Sequence, residues 1–106
     1  MSVVDDVIGA LDDPTRRALL DHLARRGTAT ATQLCAQVAI SRQGVVQHLE
    51  VLARADLVGS ERHGRERRYR LRTEALVATA RWLEDLARDW DRRLLAIKEV
   101  AESPLS

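Results

Sequence analysis

The sequence has no phenylalanine, one tyrosine, two tryptophans and a single cysteine among its 106 residues. With 45% of residues hydrophobic and so few aromatic, the core must be built from Ala, Leu and Val. Ala and Leu favour helices, whereas strand-rich folds draw on β-branched and aromatic side chains. One cysteine excludes an internal disulfide framework. No apolar run approaches the roughly 20 residues of a membrane span, and the N-terminus lacks a signal-peptide pattern. These absences point to a soluble, reduced, cytoplasmic protein with no membrane partner. No glycine-rich loop is present to cradle a nucleotide. Cys35, His22, His48 and His63 show no Cys-x-x-Cys or His-x-x-His pairing, whereas zinc wants about four clustered ligands. Asp12 and Asp13 sit at a helix start, where capping and the helix dipole account for them. Neither an enzyme, a cofactor nor a metal site is expected.

What is present is concentrated charge. The net charge is only +1, but residues 41–72 hold eight Arg against four acidic residues, a local net of +4. Six of those arginines fall within residues 62–72. A basic segment on an acidic body is the electrostatic footprint of a nucleic-acid binder, because phosphate contacts supply most of its affinity.

The length fits one domain, residues 1–106. Val4, Val7, Ile8 and Leu11 share one face of a first helix over 3–11. Asp13-Pro14 reads as a cap followed by proline at the first helical position, opening a helix over 14–26 that Gly27 ends. Thr30 and Gln33 have capping-box spacing and open a short helix to about Val38. After a tight turn at Ala39-Ile40, Ser41 caps a helix over about 42–55 with Val45, Leu49 and Leu52 facing inward. Two short helices joined by a tight turn read as helix-turn-helix. Leu57–His63 and Glu66–Arg72 read as strands about Gly64-Arg65, a turn suited to type II′. That register opposes Val58 to Leu71, Ser60 to Tyr69 and Glu61 to Arg68. It also opposes Arg62 to Arg67, a repulsive pair that a polyanion would neutralise. In a last helix over 74–101, Leu76, Ala80, Leu83, Ala87, Trp90, Leu94, Ile97 and Ala101 form a heptad seam. The expected architecture is mainly α with a small β-hairpin wing, a winged helix-turn-helix in the order α-α-α-α-β-β-α.

In helix-turn-helix geometry the start of the second helix meets base edges. Arg42, Gln43 and Gln47 are the expected readers, since Arg pairs with guanine and Gln with adenine. Ser41 begins that helix. His48 either reaches DNA or bonds locally on the helix surface. Gly44 answers either to close approach of DNA or to contact with the preceding helix. Arg62, Arg65, Arg67 and Arg68 are expected on the phosphate backbone or in the minor groove. Cys35 reads as a small buried apolar residue. The seam outruns what a three-helix body can cover, which favours a homodimer joined through Val4, Ile8, Leu76, Leu83, Trp90, Leu94 and Ile97, with an inverted-repeat operator. Two rivals are a metal- or thiol-responsive protein of the same fold, sensing through Cys35 or His22, and a module that docks a protein partner on the last helix.

The segments DDPTRRALLDHL, TATQLCAQVAISRQGVVQHLEVLARADLV and GRERRYRLR resemble the ArsR family of winged helix-turn-helix repressors, from about Ala10 to Ile97. The resemblance implies a homodimer on double-stranded DNA, with the helix from Arg42 as recognition helix and the hairpin around Gly64 as wing. It also implies dimerisation through the first and last helices, and leaves room for a small-molecule effector. The Cys-x-Cys pair of the founding metal sensors is matched only by Leu34-Cys35-Ala36. SRQ at 41–43 and the tail ARWLEDLARDWDRRLLAI look more like a metal-free branch.

Overall fold

A computed structural model describes residues 2–102. The chain runs α1 (Val3–Ala10), α2 (Pro14–Arg26), β1 (Thr28–Thr30), α3 (Ala31–Val38), α4 (Arg42–Arg54), β2 (Val58–His63), β3 (Glu66–Leu71) and α5 (Glu74–Glu102). The helix starts are written in capping chemistry. A side-chain oxygen of Ser2, Asp13, Thr30 or Ser41 accepts from the first-turn N–H groups of its helix, which otherwise lack partners. At α3 the box is reciprocal: the Gln33 N–H donates to Thr30 Oγ1 at 3.2 Å, and the Thr30 N–H donates to Gln33 Oε1 at 2.9 Å.

The end of α4 is a Schellman closure built on aspartate. Asp56 takes a left-handed φ of 58°. The Leu57 N–H then reaches Leu52 O at 2.9 Å and the Asp56 N–H reaches Ala53 O at 3.0 Å. Those two bonds satisfy carbonyls that the helix end leaves open, and the left-handed position is one that glycine usually takes.

The hairpin has the expected register at every pair named above, including Arg62 opposite Arg67. Each strand is one residue shorter than expected, although the Arg72 N–H still bonds Leu57 O at 2.9 Å. Of the two turn residues only Gly64 has positive φ, at 63°, as a type II′ turn requires. One strand was not expected. Thr28–Thr30 pairs antiparallel with Thr28 opposite Arg70 and Thr30 opposite Arg68, so the sheet has three strands in the order β1-β3-β2. The order α-α-α-α-β-β-α is therefore corrected to α-α-β-α-α-β-β-α. Three residues are too short to display a period of two, and Thr30 doubles as the cap of α3.

Leu19 and Leu23 of α2, Leu34 of α3, Val45, Leu49 and Leu52 of α4, and Leu57 meet in one core that Val7 of α1 completes. Ala29 of β1 is buried under the same core. On α1 the buried positions are Val7 and Ala10, while Ile8 is exposed and Val4 half-buried. Only the beginning of α5 joins this body. Ala75 and Thr79 are buried where α5 packs on α1, and the Thr79 hydroxyl donates to Ala75 O at 2.8 Å. From Ala80 to Glu102 every residue is exposed. The radius of gyration is 19.8 Å, against about 13 Å for a compact chain of this length, because α5 projects from the body as a free rod.

Candidate nucleic-acid interface

Helical geometry divides α4 into three faces. Val45, Leu49 and Leu52 are buried. Gln43, Gln47, Glu50 and Arg54 share the opposite, exposed face, as their spacing of three and four residues dictates. Arg42 and Val46 lie between these two, on the edge that borders the wing.

The wing also has two faces, since side chains alternate along a strand. Arg62, Arg67 and Tyr69 turn toward α4, while Glu61, His63, Glu66, Arg68 and Arg70 turn away. The outer face is electrically mixed: Glu61 lies 3.4 Å from His63, and Glu66 lies 3.5 Å from Arg68. The inner face is not. Arg42, Val46, Arg62, Arg65, Arg67 and Tyr69 line a cleft of about 270 Å³ that contains no acidic residue. Beside it, Thr30–Gln33 at the start of α3 join Arg42, Arg65, Glu66, Arg67 and Tyr69 around a second cleft of about 360 Å³. Arg67 donates to Ser60 Oγ at 3.0 Å. Among the described residues, Arg42, Arg62, Arg65 and Arg67 form no ion pair.

Of the expected site residues, Ser41, Arg42, Gln43 and Gln47 are exposed at the start of α4, and Arg62, Arg65 and Arg67 converge beside them. Two residues stand apart. Arg68 is on the outer face of the wing, next to Glu66. His48 is half-buried and points back to α2, where its Nδ1 lies 3.4 Å from Arg16 Nη1. Arginine can only donate, so Nδ1 is the acceptor of that contact. Arg16 also donates through Nε to Ala10 O at 2.6 Å, tying the end of α1 to the recognition helix. The local-bonding alternative for His48 therefore has a named partner. Beneath this tether Asp13 caps α2, and its carboxyl is held below the ordinary carboxylate value. The Arg16 N–H is the largest cause, helped by the Thr15 N–H and the Arg16 guanidinium and opposed by desolvation. At Gly44 a Cβ would meet Ser41 Oγ at 3.3 Å and Ile40 Cδ1 at 3.5 Å, so the turn before α4 packs closely on this position.

Cys35 is half-buried against the core, and among the described residues no three His, Cys, Asp or Glu side chains gather to hold a metal ion. No described helix is long and apolar enough to cross a membrane.

The expected dimerisation residues fall into two groups. Leu76 is half-buried on the chain's own core, and Val4 is half-buried in α1. Ile8 is exposed on α1, and Leu83, Trp90, Leu94 and Ile97 are exposed along the free part of α5, Trp90 at 59% and Ile97 at 65%. The sequence reading missed Trp82 and Leu86, which are exposed beside the seam and widen it into a broad apolar stripe. Their spacing of four residues, continued from Ala75 and Thr79, was the available signal. It also missed Thr32 and Gln33 beside the arginine clefts, because nothing in the sequence brings α3 next to the wing.

Comparison with known proteins agrees with this geometry. Residues 11–61 match a family described as a helix-turn-helix domain. The chain is 31% identical over 91 residues to the transcriptional repressor SdpR of Bacillus subtilis, covering 86% of this chain and 100% of the relative. It is 37% identical over 94 residues to the HTH-type transcriptional regulator Rv2034 of Mycobacterium tuberculosis, covering 89% and 84%. Among solved structures, an ArsR-like transcriptional regulator from Rhodococcus sp. RHA1 superposes with a TM-score of 0.84 at 42% identity, over 96% of this chain and 95% of that one.

Proposed function

The chain belongs to the ArsR family of winged helix-turn-helix transcriptional regulators, which bind DNA and are not enzymes, and from that premise we propose that it is a homodimeric repressor of an inverted-repeat operator. The observation that carries the proposal is the pairing of two unsatisfied surfaces on one small body. One is the exposed Gln43–Gln47 face of α4 beside a cleft of unpaired arginines. The other is the apolar stripe of α5.

Gln43 and Gln47 project from the first two turns of α4, where a recognition helix meets base edges. Glutamine offers a donor and an acceptor together and pairs with adenine. Arg62, Arg65 and Arg67 supply the phosphate contacts, with Ser41 and Arg42 at the helix start. Arg68 contributes charge from the outer face of the wing. His48 fixes the recognition helix on α2. The whole of residues 1–106 acts as one winged domain with dimerisation helices at its two ends.

Leu83, Trp90, Leu94 and Ile97 of two chains would cover each other, with Ile8 and Val4 of α1 and Leu76 extending the contact at the body. A two-fold axis then sets two recognition helices about one DNA turn apart, roughly 34–36 Å. Repression is also what the name of the Bacillus relative states of that protein. A small-molecule effector would act by changing the geometry of this dimer.

The test is fluorescence anisotropy on DNA from upstream of the chain's own gene, with a scrambled duplex as competitor. Tight, salt-sensitive binding that outcompetes the scrambled duplex is expected, and footprinting should then show an inverted repeat. Equal, weak binding to both would refute autoregulation through that site.

A further inference from the structure

We propose that Arg42 belongs with the wing and not with the base readers: together with Arg65 and Arg67 it clamps one DNA backbone phosphate between the recognition helix and the hairpin. This rests on the DNA-binding reading above and assigns a ligand chemistry, a phosphodiester, to one cleft of that surface.

Arg42 sits at the first position of α4, a full turn before Val46, and the two residues form the α4 wall of the cleft. The opposite wall is Arg62, Arg65, Arg67 and Tyr69 of the hairpin. Gln43 and Gln47 line neither cleft beside the wing. The first residue of the helix therefore looks sideways at the wing, while its second and sixth look outward.

Charge argues the same way. The strand register forces Arg62 and Arg67 to face each other on the α4 side, an arrangement that is unfavourable without a counter-ion. Of the nearby carboxylates, Glu61 is beside His63, Asp56 lies 3.9 Å from Arg72, and Glu66, though it lines the neighbouring cleft with Arg42, Arg65 and Arg67, lies 3.5 Å from Arg68. Glu66 borders the neighbouring cleft from the turn but belongs to the outer face. The N-terminal end of α4, the positive pole of its dipole, adds to the same field. A planar guanidinium presents a fork of donors that matches phosphate oxygens, and three of them from two elements enclose a single anion. Tyr69, half-buried at the floor, provides a rigid wall.

The experiment is the salt dependence of binding to a scrambled duplex, where base readout contributes nothing and the outcome does not depend on whether an operator exists. For B-DNA the logarithm of affinity falls with the logarithm of salt by about 0.9 for each phosphate neutralised. Wild type, Arg42→Ala, Arg65→Ala and the double variant are compared, with Arg70→Ala, alone and combined with Arg42→Ala, as the control that joins a cleft residue to one outside it. All these side chains are exposed, and circular dichroism melts establish that each variant is folded.

Arg42→Ala and Arg65→Ala should each weaken binding to the scrambled duplex, and the double variant should flatten the slope by no more than about 0.9 in total, one phosphate's worth. The control pair should be additive. Wild-type affinity of Arg42→Ala for the scrambled duplex would overturn the proposal and return Arg42 to the base readers. A double variant flattened by about 1.8 would overturn it too, because two separate phosphates would then be held. In a second arm inorganic phosphate replaces chloride at constant ionic strength. Equal effects on wild type and Arg42→Ala support a backbone phosphate. A saturable loss confined to wild type would assign the cleft to a free phosphate ligand instead.

Discussion

Replacing Trp90 by alanine should weaken the dimer severely while leaving the protomer folded. Trp90 lies well beyond Thr79, the last buried residue of α5, and leaves 59% of its surface exposed. For a side chain of up to about 250 Å² that is about 150 Å² available to a partner. At about 25 cal/mol per Å² complete coverage contributes roughly 4 kcal/mol, of which truncation to alanine forfeits most, about 3 kcal/mol. Two-fold symmetry counts the loss twice. Even if the partner covers only half of the ring, about 3 kcal/mol per dimer disappears, roughly a hundredfold in dissociation constant. Sedimentation equilibrium over a dilution series measures that constant, and Arg81→Ala on the polar side of α5 serves as control. Circular dichroism of the monomeric variant should keep the helical signal of the body, whose core does not include Trp90. An unchanged dissociation constant for Trp90→Ala, or a wild-type chain that stays monomeric at every concentration, would refute the assignment of the stripe.

Other expected outcomes are smaller. Gln47→Ala should relax preference at one operator position by about 1–3 kcal/mol, and equal weakening on operator and scrambled DNA would remove Gln47 from the readers. Asp56→Gly should raise the melting temperature by relieving the left-handed strain at φ 58°, a gain of up to about 1 kcal/mol, and a lower melting temperature would mean that the contact with Arg72 matters more. Gly64→Ala should cost about 1–2 kcal/mol at the hairpin tip, where φ is positive, detectable as lost affinity for every duplex. The carboxyl of Asp13 is depressed below its ordinary value, so its ionised form stabilises the fold above the unfolded carboxylate range and that contribution fades as pH falls through the folded value. Melting curves of wild type and Asp13→Ala should therefore converge in acid, and a gap independent of pH would contradict an electrostatic cap.

Much of this was legible in the sequence because it is encoded locally. Asp13-Pro14, the Thr30/Gln33 box and Ser41 each announce a helix start through atoms within three residues of one another. The hairpin register follows from one glycine and the two-residue turn it permits. What was not legible depends on distant partners. β1 exists because β3 pairs with it, and Thr28–Thr30 carries no alternation of its own. His48 has its place because Arg16, 32 residues earlier, reaches it. Periodicity placed Leu76 on the seam with Leu94, but only packing reveals that the first serves the protomer core and the second does not.

The short strand β1 has a mechanical consequence. Thr30 is at once the last residue paired with the wing and the cap of α3, so the wing is stitched to the helix-turn-helix at its root with no intervening hinge residue. The wing and the reading helix must then swing as a single lever. In the proposed dimer, a signal received along α5 would change the DNA fit by tilting that whole lever about the α1–α5 joint, altering the span between the two halves and not the grip within either half.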